Sequence, residues 1–419
     1  MGRNSSDQVK KSILLSLGYL SCLYGSSNAS DDDLEIGTCK LFLGDNYGRQ
    51  AQTLDILAGG FWCSQCDKRV EQDKEQYSSA IHIPKWQDFQ DDNDFNFINL
   101  QSMFFQFLYG ESSEELGVVF VRVLPRILRH ASRDILLKAR LQWVECIEYL
   151  LLHNVKAVRE AFSAEISCFL EGHVLEFLFM DGDTSQKTKE QKFLDKVKHA
   201  LAGTEDPQIL VTLLESTAEI MSASDIHGQL FFYSLILFVD QLDNKSQIVR
   251  VTASSLIHRS CSFHLKGGFE LILSKFFHIR DELFEYLSAR LLSRPDMIRE
   301  FAEAVVGIKT EELIGRMVPF VIPKLVVSHK DNDQAIITLN ELANYLNTDV
   351  VPLIVNWLPK VLAFALLRAN VQELSSVLQF YHIQTGSDNK EIFAAALPAL
   401  LDELLCFPGE EDMDETEKR

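Results

Sequence analysis

Apolar side chains recur at helical spacing along most of this chain. From about Phe97 onward, runs with apolar residues three and four positions apart alternate with short polar, Gly- or Pro-containing breaks, which is the pattern of amphipathic helices. The runs fall into pairs, and these pairs predict seven helical hairpins. The predicted pairs are 99–109 with 114–131, 136–152 with 155–170, 190–202 with 207–222, 228–241 with 247–262, 270–291 with 296–306, 312–327 with 333–346, and 350–367 with 371–382, followed by an unpaired helix at 390–406.

The second helices of these hairpins repeat one another. Each carries apolar residues at positions i, i+4 and i+8, which lie on one face of a helix. The clearest trios are Phe120, Leu124 and Leu128; Phe162, Ile166 and Leu170; and Ala253, Ile257 and Cys261. The period is roughly 42 residues, within the range of HEAT and armadillo repeats. The pairs Val158-Arg159 and Val249-Arg250, each just after a turn, are typical of second helices in HEAT repeats.

One hairpin cannot bury such a stripe alone, whereas stacked neighbours can bury it in a continuous core. The sequence therefore predicts an all-α, HEAT/armadillo-like α-solenoid of about seven helical hairpins. The alternative is a compact bundle of generic amphipathic helices, which does not explain the period.

The first part of the chain, residues 1–97, has weak periodicity and several acidic or Gly-containing stretches, such as Asp31–Asp33. We expect a less regular segment with short strands near residues 39–43 and 53–57. Residues 10–25 resemble a secretory signal, but their leucines suit an amphipathic helix equally well. The predicted organisation is 1–97 irregular, 98–267 helical repeats, 268–382 a second helical domain, 383–407 a further solenoid helix and 408–419 an acidic tail.

The charge balance limits the partners that the chain can bind. Sixty acidic side chains outnumber forty basic ones, which gives a formal net charge of −20. Such a surface repels phosphate backbones, so any direct contact with nucleic acid needs a local basic patch. No apolar run reaches the length that a membrane span requires.

One such basic feature lies on the second helix of the first hairpin. Its four arginines lie within about 60° of one another around the helix. They are Arg122, Arg126, Arg129 and Arg133, named here the arginine ridge. Apolar residues of the same helix, including Val121, Leu124, Ile127 and Leu128, point the other way. The ridge is either an ordinary solvated surface or a docking site for an acidic segment or phosphate.

The candidate metal ligands form incomplete sets. Cys63 and Cys66 make a CxxC pair, and only Cys39 and His82 could complete a zinc site, at irregular spacing. Two ordinary loop thiols explain the pair better, so whether it binds zinc stays open. His258, Cys261 and His264 diverge around a helix and do not suit one ion. Other cysteines, such as Cys146 and Cys168, lie in apolar runs, which favours a reducing compartment.

Catalytic and phosphate-binding patterns are missing from the sequence. The stretch 181–192 fails as a calcium loop because Gln186 and Lys192 replace the required Gly and Glu. Lys266-Gly267-Gly268 lacks the rest of a phosphate-binding loop. No GxSxG, HExxH, HRDxxxxN or DFG pattern occurs. We therefore expect no enzymatic activity and no cofactor.

Several long stretches resemble the helical region around the UME domain of ATR-type checkpoint kinases, which belong to the phosphatidylinositol-3-kinase-related family. The resemblance is strongest to the plant forms and covers about three quarters of the chain. The residues that carry it are 112–130, 150–162, 241–275, 298–326 and 346–366. It implies that residues 268–382 are a UME-like domain.

The resemblance also implies a function. It points to a nuclear scaffold in the DNA-damage and replication-stress response, bound to an ATRIP-type protein partner that brings the kinase to coated single-stranded DNA. The kinase domain of that family has no counterpart in these residues, so no catalytic residue can be assigned. The alternative is a freestanding HEAT-repeat adaptor unrelated to a kinase.

Overall fold

The computed structural model describes residues 114–130, 136–137, 139–179, 187–264, 268–330, 334–368 and 371–406, together with 11, 14, 40–41 and 61–62. The predicted helix 99–109, the CxxC pair, the stretch 181–186 and the acidic tail lie outside these residues. Within them, Leu14 is helical and buried. Strands β1 (Lys40–Leu41) and β2 (Phe61–Trp62) pair antiparallel, with Lys40 opposite Trp62. The first lies where a strand is predicted, and the second follows the other predicted strand by four residues.

The described part of the chain from Glu114 onward is all-α, as predicted. Its α-helices are α1 (Glu114–His130), α2 (Arg140–Leu151), α3 (Lys156–Glu165), α4 (Gly172–Leu178), α5 (Lys189–Ala202), α6 (Pro207–Ala223), α7 (Gln229–Val239), α8 (Gln247–His264), α9 (Gly268–Lys275), α10 (Phe277–Ser288), α11 (Pro295–Glu300), α12 (Thr310–Ser328), α13 (Gln334–Tyr345), α14 (Val350–Asn356), α15 (Leu358–Arg368), α16 (Val371–Thr385) and α17 (Asn389–Cys406). A 3-10 helix (Ile166–Leu170) extends α3, and a π-helix (Phe301–Val306) extends α11. The chain forms two compact units, Met1–Leu237 and Phe238–Arg419.

In the first unit the helices stack in two layers, as in an α-solenoid. Helix α3 packs between α1 and α6, while α2 packs against α5 in the other layer. The contact between α1 and α3 is close, because a Cβ on Gly117 would lie 2.5 Å from Cγ2 of Val158. The predicted stripes face this stack: Leu124 and Phe162 are completely buried.

The turns before α3 and α8 are closed by the same set of hydrogen bonds. Arg159 donates from one Nη to the carbonyl oxygens of His153, at 2.6 Å, and Asn154, at 3.3 Å. Arg250 repeats the arrangement with the carbonyls of Asn244, at 2.8 Å, and Lys245, at 3.3 Å. Each arginine therefore bonds the carbonyls six and five residues before it, which would otherwise be unpaired at the helix ends.

The first residue of each turn also uses its side chain. His153 Nδ1 accepts a hydrogen bond from the N–H of Val155 at 3.1 Å, and Asn244 Oδ1 accepts one from Ser246 at 2.9 Å. Asp206 forms the same bond with Gln208 before α6. Three turns thus share one local cap, in which an acceptor at position i bonds the N–H at i+2.

In the second unit α12, α15 and α17 pack one against the next, and α16 contacts all three. Tyr381 of α16 is completely buried and donates its hydroxyl to the carbonyl of Ile354 at 2.8 Å. Burial raises the pKa of this phenol, so the hydroxyl stays a donor. Helix α16 is therefore the centre of this part of the unit.

A cluster of charged side chains fixes the turn between α7 and α8 against the start of α11. Arg294 donates from Nη1 to Asp240 Oδ1 at 2.5 Å and from Nε to Asp243 Oδ2 at 2.8 Å. The hydroxyl of Tyr286 bonds the same Asp240 oxygen. The hydrogen bond to Asp243 is the main cause that raises the pKa of Arg294, so the guanidinium stays charged.

Besides the change to a 3-10 helix at Ile166 within the predicted helix 155–170, three predicted single helices are interrupted in the structure. The range 270–291 breaks at Phe276, between α9 and α10, and the range 350–367 breaks at Trp357, where α14 and α15 are bent by 57°. Pro359 stands near the start of α15, where its missing N–H removes no helical bond. The apolar spacing continues through each break, so periodicity alone could not show it.

The third interruption is the π-helix, which the sequence analysis places inside one helix at 296–306. It ends at Gly307, whose φ of +80° is left-handed and suits glycine. The carbonyl of Ala304 lies 3.0 Å from Oγ of Ser254, which donates to it, and 3.1 Å from Nε2 of His258. Two side chains of helix α8 therefore hydrogen-bond a backbone carbonyl of the π-helix.

Because the two turn arginines differ in burial, we expect the same substitution at each to lower the free energy of unfolding by different amounts. Arg159 is 5% exposed and also bonds the hydroxyl of Thr212 through Nε at 3.2 Å. We expect Arg159→Gln to lower the free energy of unfolding by about 2–4 kcal/mol, because it leaves buried acceptors unpaired. Arg250→Gln, at a half-exposed position, should cost only about 1 kcal/mol. Equal urea-unfolding midpoints for the two variants would contradict this prediction.

The His153 cap predicts a loss of stability in acid. Burial of the imidazole and the nearby charge of Arg159 lower the pKa of His153 in the folded state. Below about pH 6.5 the unfolded chain therefore binds more protons than the folded chain, and the free energy of unfolding decreases as the pH falls. His153→Asn copies the Asn244 cap without a titrating group. Urea unfolding at about pH 7.5 and about pH 5.5 should show a smaller loss for this variant than for the unchanged chain, whereas His199→Asn, at an exposed histidine on α5, should leave the loss unchanged.

Candidate protein-binding surfaces

The arginine ridge is partly placed by the structure. Arg122 lies on α1 and is exposed, while Val121, Leu124 and Leu128 on the same helix are completely buried. Arg126 and Arg129 belong to the same helix, but their side chains lie outside the described residues, as do Arg133 and the side chain of Ile127. Arg122 and the three apolar residues therefore lie on different faces of α1, and the docking role of the ridge stays a prediction.

A second surface, which the sequence analysis missed, lies in the unit that begins at Phe238. It consists of aromatic rings and cations that alternate across three helices. The residues are Phe277 and Arg280 of α10, Phe320 of α12, Lys360 of α15 and Trp357 at the break before α15. We name this set the aromatic–cation ladder.

Arg280 forms the first half of the ladder. Its guanidinium carbon lies 3.8 Å from the centre of the Phe320 ring and 4.7 Å from the centre of the Phe277 ring. Nε of Arg280 also donates to Asp281 Oδ1 at 3.0 Å. Stacking on a ring leaves the edge of a guanidinium able to donate hydrogen bonds. This packing holds Arg280 in place on the surface of α10.

Lys360 forms the second half. Its Nζ lies 5.1 Å from the centre of the Phe320 ring and 5.8 Å from the centre of the Trp357 ring, both within the range of a cation–π interaction. In the described part of the chain, no carboxylate lies within ion-pair distance of this ammonium group. Lys360 is therefore a half-buried cation that is attracted by two rings and is available to an external anion.

The surroundings of the ladder are of mixed charge. Lys324 pairs with Glu285 at 2.7 Å, and Arg280 pairs with Asp281 at 2.9 Å. Glu282 lies on the exposed side of α10. Phe277 at one end of the ladder is 56% exposed. The surface thus combines exposed aromatic area, one available cation and an acidic border, which is a combination suited to a protein segment.

A local signal for the ladder exists in the sequence. Phe277 precedes Arg280 by three positions, and Trp357 precedes Lys360 by three positions. Such spacing places an aromatic ring beside a cation on one helix face. Phe320 joins the two pairs through tertiary contacts, which sequence spacing does not predict.

Among the described residues, no group of three or more His, Cys, Asp or Glu side chains could hold a metal ion. Cys261 is completely buried, and burial raises the pKa of its thiol to about 12. Cys146 and Cys168 are also buried free thiols, as expected for cysteines in apolar runs. The candidate zinc ligands Cys39, Cys63, Cys66 and His82 lie outside the described residues.

No single described helix is both long and apolar enough to cross a bilayer. Helices α14 and α15 would meet the length and composition limits only as a pair. Their buried residues, including Ile354, Val361 and Leu362, pack inside the second unit.

Comparison with known proteins shows to which family the chain is related. No family model matches the chain, and no solved structure is similar to it. Two proteins described as serine/threonine-protein kinase ATR, from Oryza sativa subsp. indica and subsp. japonica, are each 56% identical to it over 411 residues. The protein of the same description from Arabidopsis thaliana is 51% identical over 411 residues.

These matches cover 98% of this chain but only 15% of the length of each relative. Identity of this level along nearly all of the chain does not arise from shared helical periodicity alone. The chain therefore belongs to the ATR-type serine/threonine-protein kinases, of which it represents a helical segment.

Proposed function

We propose that this chain is a helical scaffold segment of a DNA-damage and replication-stress checkpoint kinase, and that it acts by holding protein partners. The observation that carries the proposal is the 56% identity to ATR kinases along 98% of the chain. Two further features support it. The repeated turn arginines, Arg159 and Arg250, are those expected of HEAT-like repeats, and the partly exposed aromatic–cation ladder lies within the predicted UME-like range 268–382.

The proposed role is not catalytic. The relatives are serine/threonine kinases, but the matched segment is 15% of their length, and no kinase motif occurs in these residues. Phosphoryl transfer needs one acid to orient the nucleophile and another to hold Mg²⁺. We assign neither role to any residue of this chain.

The proposed partner is a protein, namely the ATRIP-type subunit that the family resemblance implies, in the nucleus. Contact with nucleic acid would then be indirect, which agrees with the net charge of −20. No small-molecule substrate, cofactor or membrane enters this proposal. The alternative, a freestanding HEAT-repeat adaptor, is disfavoured because repeat physics preserves periodicity rather than contiguous identity over 411 residues.

The arginine ridge provides the first test. The chain, immobilised, is expected to capture the ATRIP-type subunit from nuclear extract, with a retained amount that falls as salt rises. Replacing Arg122, Arg126, Arg129 and Arg133 by Gln should lower capture roughly tenfold and remove most of its salt dependence if the ridge docks the partner. Thermal stability should change little, because Gln keeps most of the helix propensity.

A matched control removes the same charge elsewhere. Lys198, Lys245, Lys275 and Lys309 are exposed, and their joint replacement by Gln should leave capture unchanged. Equal losses in the two quadruple variants would show that overall charge, rather than the ridge, governs binding. No capture by the unchanged chain would contradict the scaffold proposal itself.

A second prediction concerns catalysis. The purified chain should transfer no phosphate from radiolabelled ATP and Mg²⁺ to a Ser/Thr peptide or to itself, because it has no recognisable metal-holding motif. Phosphotransfer that survives repeated purification, and that scales with the concentration of the chain, would overturn this assignment.

A further inference from the structure

We propose that the aromatic–cation ladder binds an acidic segment of a protein partner, with a carboxylate at Lys360 and apolar side chains against Phe277 and Trp357. This inference rests on the proposed scaffold function and names the chemistry that one of its surfaces recognises. The arginine ridge lies in the other compact unit and plays no part in it.

The carboxylate position follows from the environment of Lys360. Within the described residues its ammonium group has no acidic partner, although Phe320 and Trp357 keep it in a defined place. The rings displace water from one side of the cation, so an incoming anion would interact in a lower local dielectric than at an open surface. A carboxylate can therefore form a charge-assisted hydrogen bond there.

The apolar positions follow from the two ends of the ladder. Phe277 is 56% exposed on α10, and Trp357 is half-buried at the 57° bend between α14 and α15. Aromatic side chains and Arg are enriched at binding hot spots, because they provide large and rigid contact areas. Arg280 packs between Phe277 and Phe320 and so holds the Phe277 ring close to the Phe320 ring.

The border of the ladder selects against a polyanion. Asp281, Glu282 and Glu285 lie on α10, and Glu285 is 62% exposed. A nucleic-acid backbone has a charge at every nucleotide and would approach these carboxylates as well as Lys360. A peptide can present one or two acids at the cation and apolar groups elsewhere, so the observations favour a protein segment.

The test uses the full chain and synthetic probes. The main probe is a fluorescein-labelled peptide of about twelve residues that is rich in Leu and has two Glu, so that its acids can reach Lys360 without facing the whole acidic border. Its partner probe has Gln in place of every Glu, and a labelled oligothymidylate represents nucleic acid. Fluorescence anisotropy measures binding. The change in total tryptophan emission on adding unlabelled peptide, compared between the unchanged chain and Trp357→Phe, reports whether the ladder is the site.

We expect the Glu peptide to bind at least about fivefold more tightly than the Gln peptide, with an affinity that falls as salt rises. Lys360→Gln should weaken binding roughly fivefold, and Lys360→Arg should restore most of it. Lys330→Gln, at an exposed lysine of the same unit, should have no effect. Circular dichroism of each variant verifies that the helical fold is retained.

Three results would overturn the proposal: equal binding of the two peptides, unchanged binding by Lys360→Gln, or tighter binding of the oligothymidylate than of the Glu peptide. Absence of peptide binding up to millimolar concentration counts equally against it. If the nuclear partner is still captured while the Glu peptide does not bind, the ladder proposal fails and the scaffold proposal stands. If the peptide binds at the ladder while no partner is captured, the scaffold proposal fails instead.

Discussion

The structure depends on the burial of apolar stripes that no helical hairpin can cover by itself. Helix α3 illustrates this constraint, since it has α1 on one side and α6 on the other. Gly117 permits the close approach to Val158, and Phe162 is buried as a result. Because burial of apolar surface is the main favourable term in folding, each helix is stable only with its neighbours in place.

The turns between the stacked helices contain backbone carbonyl groups that have no hydrogen-bond partner within a helix. Arg159 and Arg250 provide these partners in the same way, because each guanidinium donates to two carbonyls of the preceding turn. Arg294 performs a related task with side-chain acceptors, Asp240 and Asp243. Some of the basic side chains therefore hold turns in place and are not available to a partner in the same way as an unpaired surface cation.

On an acidic surface, the surroundings of a basic side chain indicate which ligands it can bind. Arg122 belongs to a ridge on one helix, whereas Lys360 belongs to a set of rings and cations that spans three helices. We propose an acidic protein segment as the ligand of the second set, whereas the docking role of the ridge stays a prediction. The proposed scaffold role is compatible with membership of the ATR-type kinases, because the matched segment is only 15% of the length of each relative.

The sequence by itself determined the fold class, most helix bounds and the buried stripes, because a 3.6-residue period records which face of each helix avoids water. It also marked Arg159 and Arg250, whose carbonyl partners lie only five and six residues away. It could not show the break at Phe276 or the π-helix at 301–306, where the apolar spacing continues through the change. Nor could it show the ladder: each aromatic–cation pair is local, but Phe320 joins the pairs only after α10, α12 and α15 have packed. Contacts between distant helices follow from their packing geometry, and that information is present only in the tertiary structure.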